Sequence, residues 1–321
     1  MENCWLGKLA IVLAGGLRYN ARHMQSPPQL LRGILQVALA AGLWGAAYPL
    51  TKGALATVPP ILLGTLRFGL ASLLLMAFTR SFPLRGIPTE HRRTVVKMAF
   101  WGTFVLVLGM NYGLRWAPAV AASIISGTPP LFTVVFAALW LNEPFRRHHA
   151  MALVLAIPGL VLLAGGTQGG EASSLAWAGI ALTVLPQIAW AMYGVIGKSL
   201  ITRFPWPILC RDTFSLGTLM LIPPTIIECW FSGFGTWTLG TLGVLLYLGI
   251  ANSVITYGLW NSALAMIPVS TASFVLYLQP ISGAVFSWVL FGETLGPTGI
   301  LGAGLIFLAL GIILRPVPDN G

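Results

Sequence analysis

Apolar stretches of about 20 residues, each long enough to cross a hydrocarbon core of ~30 Å as a helix, recur along the whole chain between short polar segments. Glycine and proline are frequent inside these stretches, as in membrane helices that pack closely and bend. The pattern predicts an all-α integral membrane protein with ten transmembrane helices. The predicted spans are 34–53, 60–79, 97–114, 118–141, 149–166, 176–198, 207–229, 238–259, 268–291 and 297–314.

The second half of the chain repeats the first. Residues 117–166 align with 267–316 without a gap, at an offset of 150. The matched pairs are Pro118 and Pro268, Ala122 and Ala272, Ser123 and Ser273, Pro130 and Pro280, Val135 and Val285, Phe136 and Phe286, and Glu143 and Glu293. Because five is an odd number of helices, the second half would enter the membrane in the opposite orientation. The sequence therefore predicts two inverted five-helix repeats.

The domain organisation follows from this repeat: a lead-in at 1–30, repeats at 31–166 and 175–316, and a short tail at 317–321. Residues 9–17 are apolar but too short to span a membrane. Met24 opens a more usual polar lead-in, so a start codon placed too far upstream is the favoured interpretation. A loose interfacial helix is the alternative.

The number and the placement of charged residues favour a membrane protein over a nucleic-acid-binding protein. Only 8% of residues are charged, against roughly 25% in an average soluble domain. The net charge of +10 is spread over alternate short loops rather than over one face. The loop cations are Lys8, Arg18, Arg22, Arg32, Arg80, Arg85, Arg92, Arg93, Lys97, Arg146, Arg147, Lys198, Arg203 and Arg315. Positive loops face the cytoplasm, which predicts a multi-pass inner-membrane protein with both termini cytoplasmic.

Further repeated residues indicate a family. They are Trp44-Gly45 with Pro49 and Lys52, Arg67-Phe68 with its near counterpart Arg211, Tyr112-Gly113-Leu114 repeated as Tyr257-Gly258-Leu259, and 118–143 repeated as 268–293. Together these residues resemble the EamA-type members of the drug/metabolite transporter superfamily, over about 31–315. The resemblance implies a central cavity lined mainly by helices 1, 3, 4, 6, 8 and 9, open alternately to either side. It does not specify the cargo, because the family includes exporters of amino acids, other metabolites and drugs.

Aromatic and amide side chains are the best candidates for a cargo pocket, because they line a moderately polar cavity without the cost of bare charge. Their alternative role is helix–helix contact or an interfacial belt. The candidates are Trp44, Tyr48, Asn111, Tyr112, Ser123, Ser126, Gln187, Trp190, Tyr193, Asn252, Tyr257, Tyr277 and Gln279.

Charged residues in the spans each have two interpretations. Lys52 either anchors an anionic group of the cargo or reaches the interface. Arg67 is favoured as a clamp between helices. Glu143 and Glu293 either carry a coupling proton or stabilise the helix that follows each of them, and the structural role is favoured. Apart from Asp212, which is near a helix end beside Arg211, no other deep acid is expected, so a uniporter or exchanger fits better than a proton-driven pump.

Prolines recur within the spans, and Pro130 matches Pro280 across the repeat. Each removes a helix hydrogen bond, so helices 4 and 9 are expected to bend at equivalent places. The bend is either a hinge for alternating access or a fixed curvature that shapes the cavity.

The sequence favours a carrier over an enzyme. All four histidines lie outside the spans, and the three cysteines have no metal or redox spacing. We expect no cofactor, no metal and no nucleic acid, with the lipid bilayer and a small molecule as partners and a monomer as the possible assembly. The predicted function is export of small metabolites such as amino acids. The alternatives are a multidrug efflux carrier and, from other classes, a non-transporting scaffold or an embedded enzyme.

Overall fold

A computed structural model describes residues 27–140, 145, 147–168, 174–264, 266–267, 272, 275–276 and 278–313. Glu143 and Tyr277, and the expectations about the first 26 residues, lie outside these ranges. The helices are α1 (Pro27–Ala54), α2 (Pro60–Thr79), α3 (Thr89–Trp116), α4 (Ala119–Trp140), α5 (Arg147–Gly165), α6 (Ser174–Ile201), α7 (Trp206–Ser232), α8 (Leu239–Leu264), α9 (Leu278–Phe291) and α10 (Pro297–Ile313). Two short strands are β1 (Thr167–Gln168) and β2 (Thr294–Leu295).

Among the described residues, seven helices are long and apolar enough to cross a membrane, and α5, α9 and α10 contain shorter apolar segments. Large apolar side chains cover much of the outer surface; Trp230 and Leu239, for example, are 84% and 89% exposed. A soluble domain would bury such residues. The prediction of an all-helical fold with several membrane-spanning helices is therefore confirmed.

Several helices extend beyond the apolar stretches that predicted them. Helix α1 begins at Pro27 rather than at 34, and α3 begins at Thr89 rather than at 97. Helix α1 starts with a proline, which fits the first turn because no hydrogen bond is needed from its nitrogen. Helix α3 starts directly after Pro88. Hydropathy marks the apolar segment of a helix, whereas the backbone hydrogen bonds continue into the polar residues beside it.

The helices pack in a small set of pairs. Helix α1 lies against α8 and α9, and α6 lies against α3 and α4. Helix α2 packs along α7, and α5 packs along α10. The antiparallel pair of β1 with β2 joins the end of α5 to the segment between α9 and α10.

Within the described ranges, two helices contain π-helical segments, Phe100–Val105 in α3 and Tyr247–Ile255 in α8. Helix α7 packs against the first of these segments, and α2 packs against the second. A π-helical segment shifts the following side chains around the helix axis and is often found at functional sites. The one in α8 carries Asn252 and Ser253, which face α2.

Helix α4 is interrupted at 126–128, between Ala119–Ile125 and Pro129–Trp140. Pro130 lies in the first turn of the second piece, and Pro280 lies in the first turn of α9. The two prolines therefore begin helical segments instead of kinking continuous ones, since neither needs to donate a backbone hydrogen bond there.

Candidate functional site

Six aromatic rings meet between α1, α6, α7 and α8. The Trp44 ring of α1 contacts Trp190 of α6 and Tyr257 of α8 edge-on, with centroids 6.4 Å and 5.8 Å away. Trp190 and Tyr257 are themselves 5.7 Å apart. The aromatic cluster, as we call it, consists of Trp44, Trp190, Tyr193, Phe214, Tyr257 and Trp260. Four of the predicted pocket residues are thus brought together from two halves of the chain.

The aromatic cluster lies deep within the bundle. Trp44 precedes the end of α1 by ten residues, which corresponds to about 15 Å along a helix. This is roughly half of a ~30 Å hydrocarbon core. A group at this depth is well placed to contact a cargo crossing the membrane.

A buried polar group lies one helical turn along α1 from Trp44. The Tyr48 hydroxyl faces the side chains of Ser126, Gln187 and Gln279, which come from α4, α6 and α9. Tyr48 and Gln187 are almost fully buried. The structure therefore gathers four neutral hydrogen-bonding residues that the sequence analysis had selected as pocket candidates.

Asn252, in the π-helical segment of α8, links the aromatic cluster to Arg67. Its backbone carbonyl accepts a hydrogen bond from Trp44 Nε1 at 3.2 Å. Its Oδ1 accepts one from Arg67 Nη2 at 2.5 Å, and its Nδ2 donates to the Leu43 carbonyl at 3.4 Å. One side chain thereby connects α1, α2 and α8.

Arg67, for which the sequence favours a clamp role, is bonded across from α2 to α8. Its Nε donates to Ser253 Oγ at 3.0 Å, in addition to the bond to Asn252. The guanidinium carbon also lies 4.7 Å from the centre of the Phe68 ring. Both hydrogen-bond partners are neutral, and within the described ranges no carboxylate pairs with this buried charge.

Lys52 lies away from the aromatic cluster, at the end of the bundle where α1 ends. Its Nζ is 2.7 Å from Glu293 Oε1 and donates to the Ala117 carbonyl at 2.9 Å. Glu293 Oε2 accepts a hydrogen bond from the Val120 backbone N–H at 2.8 Å. The expectation that Glu293 serves the helix after it was wrong: the carboxylate caps α4, because the fold brings the start of that helix beside the end of α9.

Glu228 is a membrane-helix acid that the sequence analysis missed. It is in the last turns of α7, and its carboxylate accepts hydrogen bonds from the Ile61 and Leu62 backbone N–H groups, the shortest of which are 2.8 and 2.9 Å long. The Tyr112 hydroxyl donates to the same carboxylate at 2.9 Å. The signal was a glutamate inside an otherwise apolar stretch, which needs a partner. Glu228 supplies the cap for the start of α2.

The structure does not bring the polar groups of every pocket candidate to the aromatic cluster. Asn111 Nδ2 donates to the Pro60 carbonyl at 2.8 Å, which ties α3 to the start of α2. Tyr112 is bonded to Glu228, and Lys52 is paired with Glu293. These three side chains, with Glu228 and Glu293, bind helix ends at the same end of the bundle.

Comparison with known proteins assigns the family. The profile described as the EamA-like transporter family matches residues 31–165 and again 177–315. The chain is 25% identical over 282 residues to a "Probable amino-acid metabolite efflux pump" of Salmonella typhimurium, covering 85% of this chain and 90% of that protein.

Other relatives agree with this assignment. The chain is 24% identical over 289 residues to a "Probable terminal-alkyne amino-acid exporter" of Streptantibioticus cattleyicolor, covering 89% of this chain and 95% of that protein. A solved crystal structure superposes with a TM-score of 0.60 at 18% identity, over 87% of this chain and 95% of the other. That similarity supports the fold alone. This chain belongs to the EamA-like transporter family, and it is a multi-pass membrane transporter rather than an enzyme.

Proposed function

We propose that this protein is a secondary transporter that exports small metabolites such as amino acids across the inner membrane. The aromatic cluster is the observation that carries this proposal, because its rings come from both halves of the chain and lie at mid-membrane depth. Amphipathic rings beside neutral amides suit a cargo that is partly apolar and partly polar. The two relatives named as amino-acid efflux or export proteins point to the same class of cargo.

Alternating access between two inverted five-helix repeats is the proposed mechanism. If the halves are exchanged, α1 takes the place of α6, while α8 and α9 take the places of α3 and α4. The contacts of α1 with α8 and α9 then correspond to the observed contacts of α6 with α3 and α4. The π-helical segments of α3 and α8 exchange in the same way, as do their contacts with α7 and α2. This correspondence supports a pseudo-two-fold relationship, in which the cargo lies where the repeats meet. The interruption of α4 before Pro130 and the start of α9 near Pro280 are the candidate hinges.

The proposed orientation places the Lys52 end of the bundle outside the cytoplasm. The opposite end carries Arg80 and Arg85, between α2 and α3, and Arg92 and Arg93, in the first turns of α3. A cluster of cations in a short loop is typical of the cytoplasmic side. Both termini would then be cytoplasmic.

A cationic drug fits the described site less well than a metabolite with a negative group. Binding a cation in a membrane interior favours a buried carboxylate as partner. The Arg67 guanidinium is bonded to Asn252, whose backbone carbonyl accepts a hydrogen bond from Trp44 of the aromatic cluster. Its positive charge opposes a cationic cargo.

Counterflow in proteoliposomes tests the proposal. We expect saturable exchange of labelled amino acids without an imposed pH gradient, strongly reduced in Trp44→Ala and in Gln279→Ala. Trp288→Ala is the matched control, since Trp288 is 61% exposed on the outer surface. Exchange of no amino acid by a folded wild type would reject the amino-acid proposal. Transport only under a pH gradient would reject the uniporter or exchanger expected from the sequence.

A further inference from the structure

In the part of the chain that the structure describes, two arginines are buried at related positions of the halves, Arg67 and Arg211. Arg211 is the fully paired one of the two. Arg211 Nε lies 2.7 Å from Asp212 Oδ1. Its Nη1 donates to Thr79 Oγ1 at 3.3 Å and its Nη2 to the Arg85 carbonyl at 2.8 Å. Every guanidinium nitrogen has a partner, and the charge is neutralised. This is the arrangement expected of a structural clamp.

Arg67 differs from Arg211 both in the pairing of its nitrogens and in the neutralisation of its charge. The residue is 8% exposed, and its hydrogen bonds go to the neutral side chains of Asn252 and Ser253. Its Nη1 has no hydrogen-bond partner among the described residues, and no carboxylate there neutralises the charge. An unpaired buried charge is costly. A clamp between α2 and α8 could be built from neutral groups, so the charge itself calls for another role.

The surroundings of Arg67 point to a ligand. Tyr48 and Tyr257 are close enough to interact electrostatically with the guanidinium. Tyr48 belongs to the buried polar group, and Tyr257 to the aromatic cluster. Arg67 is seven residues from the start of α2, about 10 Å along the helix. A buried cation with an unused donor therefore lies between the two parts of the proposed pocket.

We propose that Arg67 binds the carboxylate of the cargo. This inference rests on the proposed function and deepens it, because it assigns the cargo to carboxylate-bearing amphiphiles. The planar guanidinium offers N–H donors in a geometry that matches a carboxylate. The π-faces of Trp44, Trp190 and Tyr257 would receive the apolar part of the cargo and, for a zwitterion, its ammonium. Asn252 holds both side chains, since Arg67 donates to its Oδ1 and Trp44 to its backbone carbonyl.

The first test compares ligands on the unmodified full-length chain. Binding of phenylalanine, of its carboxamide and of 3-phenylpropionate is measured by tryptophan fluorescence in detergent. The carboxamide keeps the ring and the ammonium but loses the carboxylate. We expect it to bind about ten-fold more weakly than phenylalanine or worse, the loss typical of a charge-assisted hydrogen bond. Equal binding of the acid and the carboxamide would overturn the role of Arg67 and leave the proposed function standing. Binding of none of the three probes would overturn the role of Arg67, whereas exchange of no amino acid in the counterflow experiment would overturn the proposed function.

The second test places the effect at Arg67. We expect Arg67→Met to lose its preference for the acid over the carboxamide while its affinity for the carboxamide is unchanged. Arg67→Lys keeps the charge but lacks the paired N–H donors of the guanidinium, so it should retain a reduced preference for the acid over the carboxamide. Ser253→Ala is the matched control, because it removes a clamp bond and leaves both the guanidinium and its Asn252 partner in place, so it should keep the preference for the acid. If Arg67→Met weakens both ligands equally, as the loss of a clamp would, the proposal is wrong.

Discussion

Lys52 Nζ lies 2.7 Å from Glu293 Oε1, and this ion pair joins the end of α1 to the end of α9. The second carboxylate oxygen of Glu293 binds the backbone of Val120 in the first turn of α4. Three helices are thereby tied together at the end of the bundle that the proposed topology places outside the cytoplasm. A carrier that opens to that side by moving α1 away from α9 has to break this ion pair.

Neutralising Glu293 should loosen this end of the bundle. In Glu293→Gln the amide can still accept from Val120, but Lys52 loses its counter-ion. The pair is partly exposed, at 26% and 12% for the two side chains, so we expect a loss of about 1–2 kcal/mol, below the 3–5 kcal/mol of a fully buried pair. Thermal denaturation in detergent measures it. Lys52→Met combined with Glu293→Gln should lose less than the sum of the single variants, and strict additivity would contradict the coupling.

Glu228 should contribute to stability through the cap that it places on α2. Glu228→Ala removes the acceptor for the Ile61 and Leu62 N–H groups and for the Tyr112 hydroxyl. We expect a loss of about 2 kcal/mol, typical of a lost helix cap with a further hydrogen bond. Tyr112→Phe should cost about 1 kcal/mol in the wild type and almost nothing in the Glu228→Ala background. An equal cost in both backgrounds would show that the observed hydrogen bond does not stabilise the fold.

Gly45 allows α1 and α9 to touch through their backbones. A Cβ there would collide with Ser282 and with the Gln279 carbonyl, whereas one at Gly42, a turn earlier, would meet nothing. We expect Gly45→Ala to reduce both folded yield and transport, and Gly42→Ala to leave them unchanged. The two variants add the same methyl group to one helix, so the comparison isolates the contact. Equal behaviour of the two would contradict the close approach of α1 to α9.

The sequence predicted more of the helices than of their polar contacts. Hydropathy located the helices because burial in lipid requires long apolar stretches. Trp44 and Trp190, both selected as pocket candidates, lie in contact. The sequence could not show that Glu293 caps α4, because that contact depends on how helices far apart in sequence are arranged. Asn252 was selected as a pocket residue. Its bonds to α1 and α2 depend on the π-helical segment, which a hydropathy pattern does not reveal. Glu228 could have been found, since an acid in an apolar helix requires a partner.

The two buried arginines should respond differently to the same substitution. Arg211→Met leaves the Asp212 carboxylate buried and unpaired, which typically costs about 3–5 kcal/mol. Arg67→Met leaves behind only the neutral groups of Asn252 and Ser253, at about 1–3 kcal/mol, and also removes a charge that had no counter-ion. We therefore expect Arg211→Met to denature at a clearly lower temperature than Arg67→Met in the absence of cargo.

Cargo should sharpen this contrast between the arginines. Phenylalanine at saturating concentration should raise the denaturation temperature of the wild type, because a ligand that binds only the folded state stabilises it. It should raise that of Arg67→Met much less. Arg211→Lys keeps a cation beside Asp212 and should still respond to the ligand as the wild type does. If the ligand stabilised Arg67→Met as much as the wild type, the charge of Arg67 would have no part in binding the cargo, and its buried position would need another physical reason.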